Sequence, residues 1–235
     1  MNNIESISDE YYEALGKPKP GQPFGLIDHY RFYITCRHLA PGSVLDVGAY
    51  YGDFLKLARQ NGHHILGTEV NKERVKFVNE ILGENVVKLD FRNGILRNFS
   101  DRSVDNVVCT EVIEHLPDHN IALSELCRVA RKRVIITVPF KESIQHVLCL
   151  HCFKYTPYSG HLHSYDFKTF HNLVPENWHI TQQKSIAKRL THLIARRFKL
   201  PRSNIMIQLI QHVDLLMPGR GRLLFVVLSN KHPTS

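Results

Sequence analysis

Acidic residues recur where the apolar strand segments of this sequence end: Asp46, Glu69, Asp90 and Glu111. The carboxyl ends of neighbouring parallel strands meet at one edge of a sheet, where such folds bind their ligands. A carboxylate there can hold an ammonium group or accept hydrogen bonds from both hydroxyls of a ribose. The sequence therefore predicts one acidic crevice assembled from several strands.

The turn after the first strand contains glycine, in the stretch S-V-L-D-V-G-A-Y-Y-G-D-F over residues 43–54. Gly48 ends the strand, and Gly52 opens a helix that Asn61-Gly62 closes. Glycine lets the backbone approach a ligand, and the helix N-terminus presents unpaired N–H groups. The match to G-x-G-x-x-G is poor because Tyr50 replaces the second glycine, so a dinucleotide phosphate loop is disfavoured.

Residues 46–52, D-V-G-A-Y-Y-G, resemble the first motif of class I S-adenosylmethionine-dependent methyltransferases. Glu69 follows Asp46 by the length of one βαβ unit, which agrees with this resemblance. The resemblance implies S-adenosylmethionine as cofactor, with Asp46 orienting its methionyl end, Glu69 holding the ribose, Asp90 bonding the adenine amino group and Phe91 covering the ring. We expect the following cofactor-binding residues: Asp46, Gly48, Tyr50, Gly52, Glu69, Val70, Asp90, Phe91, Thr110 and Glu111.

The string E-V-I-E-H-L, residues 111–116, follows the fourth strand and is similar to that of ubiquinone-pathway O-methyltransferases. His115 suits a general base because its ordinary pKa lies near neutrality, although it could instead bond a loop backbone. We expect the catalytic residues to be His115, Glu114, His161 and His163.

Two metal sites stay open as alternatives, and neither is part of the main prediction. Glu111, Glu114, His115 and a later histidine could ligate a divalent cation, as in small-RNA 2′-O-methyltransferases, but relatives without a metal share this motif. Cys149 and Cys152 with His161 and His163 could instead form a zinc site. The simpler interpretation is that residues 145–165 cover the acceptor pocket, with Tyr155 and Tyr158 as further candidates for acceptor contacts.

Strand and helix segments alternate without a hairpin signal between them, which predicts an α/β fold with a doubly wound parallel sheet. The resemblance implies seven strands in the order 3-2-1-4-5-7-6, with strand 7 antiparallel. We expect a single methyltransferase domain over residues 1–235. Within it we expect N-terminal helices or a lid over 1–40, a substrate cap over 141–165 and a basic helical insert over 187–220.

The formal net charge of +8 is concentrated near residues 184–202, which contain seven basic and no acidic residues. A basic amphipathic helix there suits an anionic membrane surface or a phosphate-bearing substrate, although an ordinary core-facing helix has the same pattern. Nucleic-acid binding is disfavoured because aromatic residues do not alternate with these charges.

The N-terminal sequence and the odd cysteine count indicate a cytoplasmic protein. We expect a methyltransferase that acts on a hydroxyl of a small-molecule acceptor. The alternatives are a metal-assisted RNA 2′-O-methyltransferase and a non-catalytic binding module with the same fold.

Overall fold

The structure is a computed structural model that describes residues 26–84, 86–150, 153–188, 204–216 and 221–232. Its helices are α1 (Leu26–Arg37), α2 (Asp53–Gln60), α3 (Lys72–Leu82), α4 (His119–Val129), α5 (Phe167–Leu173) and α6 (Asn204–Leu216). Its strands are β1 (Ser43–Val47), β2 (His64–Glu69), β3 (Val87–Leu89), β4 (Val104–Thr110), β5 (Ala130–Pro139), β6 (His146–Leu148), β7 (Tyr155–Pro157), β8 (Trp178–Lys188) and β9 (Gly221–Asn230). No helix in these ranges is both long and apolar enough to span a bilayer.

Seven strands form one sheet in the order β3-β2-β1-β4-β5-β9-β8. The pairs from β3 to β5 are parallel, whereas β9 runs antiparallel to both of its neighbours. The predicted sheet, with an antiparallel last strand, is confirmed. Because Val47 pairs with both Thr68 and Cys109, the first, second and fourth strands end at the same edge.

Each face of the sheet buries its own hydrophobic cluster, as expected for strands covered on both sides. Leu123 and Leu126 of α4 and Phe170 of α5 belong to the cluster on one face. Tyr30 of α1 and Val78 of α3 belong to the cluster on the other face. This double burial explains why β1 and β4 are buried along almost their whole length rather than at alternate positions.

Within the predicted basic helical insert over 187–220, the structure places residues 187–188 in β8 and residues 204–216 in α6. Ile186 and Lys188 lie in β8, where they pair with Leu223 and Gly221 of β9. Asp214 of α6 also accepts hydrogen bonds from the backbone N–H groups of Ala187 and Lys188. Pairing with β9 and the contacts with Asp214 therefore continue the strand as far as Lys188.

Residues 1–25 and 189–203 lie outside the described residues, so the predicted N-terminal helix and most of the basic segment stay predictions. Two elements near the predicted cap were not expected from the sequence. Strands β6 and β7 form a separate antiparallel hairpin, and α5 follows it.

Candidate active site

A cavity of about 370 Å³ lies at the carboxyl edge of the sheet. All the predicted cofactor residues except Gly52 line it, together with His115 of the predicted catalytic set. Glu114, His161 and His163 are not among its lining residues. The predicted acidic crevice is therefore one continuous space, and the remaining catalytic candidates lie beyond its wall.

The glycine turn between β1 and α2 has three residues in the left-handed region: Gly48, Tyr50 and Gly52. A Cβ atom on Gly48 would lie 2.6 Å from a methyl carbon of Val112, so a side chain there would displace a residue of the cavity wall. A Cβ atom on Gly52 would lie 2.8 Å from Val78 of α3. Gly52 thus permits close packing between helices instead of contacting the cavity.

Tyr50 adopts a φ of 50° at the position where the related motif has glycine. Its N–H donates a hydrogen bond of 3.0 Å to Oε2 of Glu69, and the guanidinium of Arg74 lies 4.4 Å from its ring centroid. These contacts oppose the strain of a non-glycine residue in this region. The departure from the motif therefore preserves the glycine-like path of the turn.

Backbone N–H groups surround the carboxylate of Glu69. Its Oε1 accepts hydrogen bonds from Val70 at 2.9 Å and Asn71 at 3.1 Å, in addition to the Tyr50 contact on Oε2. Arg74 Nη1 lies 3.8 Å from Oε1. Burial raises the pKa of Glu69, and Arg74 and the three N–H groups oppose that rise.

Asp90 is held in the same way by the loop that follows β3. Its Oδ1 accepts hydrogen bonds from the N–H groups of Phe91 at 2.8 Å and Arg97 at 3.2 Å. Its Oδ2 accepts one from Asn98 at 2.9 Å. The predicted adenine-binding carboxylate therefore also shapes the loop around the cavity.

Asp46 is only 3% exposed, and burial raises its pKa to about 7. The positive charge of Arg31 opposes this rise, whereas the charge of Glu69 adds to it. The carboxylate of Asp46 therefore lies in a setting that favours a positively charged partner.

Arg31 of α1 lines the cavity, and sequence reasoning missed it. Its Nη1 lies 3.8 Å from Glu111 Oε1, and its Nη2 lies 3.3 Å from Asp28. An arginine within a helix that precedes the first strand carries no motif signal. Its burial beside acidic strand ends is visible only in three dimensions.

Glu111 is tied to β5. Its N–H donates to the carbonyl oxygen of Thr137 at 2.8 Å, and its Oε1 accepts from Thr137 Oγ1 at 2.9 Å. Burial raises the pKa of Glu111, and Arg31 opposes the rise. Its carboxylate is thus engaged with Thr137 and Arg31.

Glu114, His115 and His161 form a compact group beside the cavity. One potential ligand atom from each lies within 4.8 Å of those from the other two. Burial raises the pKa of Glu114 well above its ordinary value, and the charge of Glu111 adds to this rise. Burial and nearby His161 lower the pKa of His115 to about 4, so its imidazole is neutral at pH 7.

The other predicted residues of the cap lie apart from this group. His163 Nε2 lies 2.8 Å from the carbonyl oxygen of Leu116, and its ring packs 4.0 Å from that of His119. Tyr155 and Tyr158 are 74% and 75% exposed and do not line the cavity. Cys152 lies outside the described residues, so the four-residue zinc site stays a prediction.

Comparison with known sequences agrees with this arrangement. The family described as "Methyltransferase domain" matches residues 45–138. The ubiquinone biosynthesis O-methyltransferase of Hahella chejuensis is 28% identical over 136 residues, which are 56% of this chain and 56% of that protein. The 2-methyl-6-phytyl-1,4-hydroquinone methyltransferase of a Synechocystis strain is 32% identical over 103 residues, or 43% of this chain and 32% of that protein.

The chain spans about half the length of the ubiquinone biosynthesis O-methyltransferases that it matches. Among solved structures, an S-adenosylmethionine-dependent methyltransferase from Mesorhizobium loti superimposes with a TM-score of 0.59 and 12% identity, covering 88% of this chain and all of that one. The cyclase SpnF superimposes with a TM-score of 0.63 and 12% identity, covering 96% and 95% of the two chains.

Identities this low show the fold alone, and the cyclase shows that proteins with different named activities share it. The family match covers the segment from β1 through β5, which supplies the cavity's strand ends. The Mesorhizobium loti structure is described as S-adenosylmethionine-dependent, and S-adenosylmethionine is also the cofactor that the motif at residues 46–52 implies. Residues 45–138 match a methyltransferase-domain family, and the chain has the Rossmann-like fold of solved S-adenosylmethionine-dependent methyltransferases.

Proposed function

We propose that this protein transfers a methyl group from S-adenosylmethionine to a hydroxyl group of a small molecule. The observation that carries the proposal is the convergence of Asp46, Glu69 and Asp90, from the ends of three strands, on one cavity. Two relatives named for quinone or hydroquinone methylation support an acceptor of that chemical class.

The residues of the cavity fit the parts of this cofactor. Asp46 has an environment that favours a positive group, such as the methionyl ammonium. The carboxylate of Glu69 is fixed by three backbone N–H groups and can accept further hydrogen bonds from ribose hydroxyls. Phe91 is a buried aromatic residue beside Asp90 and would cover the adenine ring. The cofactor, when bound, supplies an electrophilic methyl group on a positively charged sulfur.

The chain's part in methyl transfer is to align the acceptor and remove its proton. The acceptor oxygen forms a bond to the methyl carbon as the bond between that carbon and sulfur breaks, which leaves S-adenosylhomocysteine. The hydroxyl proton passes to His115, whose imidazole is neutral and lies at the cavity wall. RNA methylation and a purely binding role gain no support from the named relatives.

Calorimetry with S-adenosylhomocysteine tests the cofactor half of the proposal. We expect the unmodified chain to bind it and Glu69→Gln to weaken binding by at least about tenfold, since a single charge-assisted hydrogen bond contributes roughly 1.5–3 kcal/mol. Glu73→Gln is the matched control, because Glu73 is an exposed residue in the first turn of α3, the helix that follows Glu69. Absence of binding to the unmodified chain would overturn the proposal.

Methylation of simple catechols and hydroquinones with labelled cofactor tests the acceptor half. Label in an ether product supports hydroxyl methylation, and label on a ring carbon contradicts it. A cytoplasmic location and contact of residues 184–202 with an anionic surface remain predictions of the sequence.

A further inference from the structure

Helix α6 has apolar residues on its buried side and on its exposed side. Ile210 is buried in the cluster that contains Tyr30 and Val78, and Met206 packs against that cluster. On the other side, Ile205, Leu209 and Leu216 are 72%, 53% and 85% exposed. These three residues follow one another by four and seven positions, which places them on one line along the helix. A helix that is apolar all round is normally buried all round, so this apolar face of α6 is suited to a partner.

Positive charge surrounds α6 in the sequence. Residues 184–222 contain nine basic residues and one acidic residue, Asp214, so their net charge of +8 equals that of the whole chain. Asp214 is 2% exposed and accepts hydrogen bonds from the N–H groups of Ala187 and Lys188 and from the hydroxyl of Tyr30. The single carboxylate of this segment therefore faces the interior, and no acidic side chain accompanies the apolar face of α6. The basic residues are Lys184, Lys188, Arg189, Arg196, Arg197, Lys199, Arg202, Arg220 and Arg222.

Exposed aliphatic residues combined with unopposed positive charge distinguish between the possible partners. An anionic bilayer takes up both, because aliphatic side chains enter the boundary of the acyl chains while Lys and Arg attract the headgroups. A single-stranded nucleic acid would use the charge but stacks its bases on aromatic rings, whereas this face presents isoleucine and leucine. A second copy of the chain would bring two strongly positive segments together, which opposes association.

We propose that α6 docks this protein on the surface of an anionic lipid bilayer. Ile205, Leu209 and Leu216 enter the interfacial region, and the basic residues on both sides of α6 in the sequence contact the anionic headgroups. The helix has 13 residues and is therefore about 20 Å long, against a hydrocarbon core of about 30 Å. It lies along the surface and does not cross the bilayer.

The docking face is connected to the cavity through α1, and this consequence rests on the proposed function. The Tyr30 hydroxyl lies 3.3 Å from Asp214 of α6, and the next residue, Arg31, lines the cavity. Docking through α6 would hold the cavity close to a bilayer, where lipid-soluble molecules accumulate. The acceptor class expected at such a site is a lipid-soluble hydroxyl compound.

Co-sedimentation of the full chain with lipid vesicles tests the docking. We expect binding to vesicles of phosphatidylcholine mixed with phosphatidylglycerol, little binding to phosphatidylcholine alone, and weaker binding as salt is added. Leu209→Gln and Leu216→Gln should each weaken binding to the mixed vesicles by about tenfold, because each removes an aliphatic side chain that would leave water. Leu150→Gln is the matched control and should bind as the unmodified chain does, since Leu150 is also 85% exposed but follows β6.

Thermal unfolding shows whether each variant is folded, and these exposed substitutions should leave it nearly unchanged. Failure of the unmodified chain to bind the mixed vesicles, or equal binding to phosphatidylcholine alone, overturns the proposal. It is also overturned if both α6 variants bind normally or if Leu150→Gln loses binding to the same extent. A dimer in light scattering that Leu216→Gln dissociates would show that a second copy covers the face instead. Each of these results leaves the binding of S-adenosylhomocysteine, and with it the methyltransferase proposal, untouched.

Discussion

The carboxylates of Glu69 and Asp90, which line the cavity, differ from the carboxyl group of Glu114, which lies beyond the cavity wall, in how the chain satisfies them. Glu69 and Asp90 each accept three backbone hydrogen bonds, whereas neither oxygen of Glu114 has a partner among the described residues. The carboxylates of Glu69 and Asp90 therefore hold the backbone of neighbouring loops in addition to lining the cavity. Glu114 is buried without such partners, and burial raises its pKa well above the ordinary value, so its neutral form is favoured.

The difference arises from local backbone structure. Glu69 and Asp90 each come at or just after the end of a strand, where the next turn presents several N–H groups to one carboxylate. Glu114 lies in a short 3₁₀ turn, and its carbonyl oxygen accepts a hydrogen bond from Leu162 of the cap segment. The backbone of Glu114 is thus held by a hydrogen bond, whereas its carboxyl group has no hydrogen-bond partner among the described residues.

The largest effect on stability should come from Glu69→Ala. It would leave the N–H groups of Tyr50, Val70 and Asn71 without their acceptor, and each loss costs about 1 kcal/mol or more where water cannot replace it. We expect a decrease of roughly 3 kcal/mol in the free energy of unfolding, measured in urea, together with loss of cofactor binding.

Glu73→Ala, at an exposed position in the first turn of α3, is the control and should change stability by less than about 0.5 kcal/mol. Equal effects of the two substitutions would mean that the hydrogen bonds to Glu69 do not stabilise the fold, and the contrast with Glu114 would fail.

The next effect is a pH dependence that originates at Asp46. Its pKa is about 7 in the cofactor-free protein, against an ordinary 3.8, because burial disfavours the charged form. A positively charged cofactor binds the ionised form better. We therefore expect S-adenosylmethionine affinity to fall by up to about tenfold per pH unit below pH 7. Calorimetry across pH 5.5–8.5 measures this slope, which Asp46→Asn should flatten.

The same pKa gives a stability effect of the opposite sense. Since the pKa is raised on folding, the contribution of Asp46 is complete below about pH 3.8 and is lost as the pH rises through 7. Asp46→Asn should therefore stabilise the cofactor-free protein at pH 8 and not at pH 4. Thermal unfolding at the two pH values provides the check, and an equal change at both would exclude Asp46 as the source.

The sequence was sufficient to predict that Asp46, Glu69 and Asp90 lie at one cavity, because they follow strand segments whose ends a parallel sheet brings together. It could not identify Arg31, which reaches the same cavity from a helix without a motif. Nor could it choose between His161 and His163, which differ only in where the cap directs each imidazole. The extension of β8 to Lys188 could not be predicted for a related reason, since pairing with β9 is a long-range contact.

Tyr50→Gly should have the smallest effect, and it tests how the turn tolerates a departure from its motif. Glycine relieves a positive φ that costs other residues about 1–2 kcal/mol, but it loses the stacking with Arg74, worth about 0.5–2 kcal/mol, and adds flexibility to the unfolded chain. We expect these terms to cancel to within about 1 kcal/mol in urea unfolding. Tyr50→Val has no such cancellation, since a β-branched residue keeps the strain and loses the ring, and it should be clearly less stable.

If Arg74 stabilises the turn through this ring, Arg74→Lys should destabilise the unmodified chain more than the Tyr50→Gly variant. Equal effects of Arg74→Lys in both backgrounds would show that the ring and the guanidinium act independently.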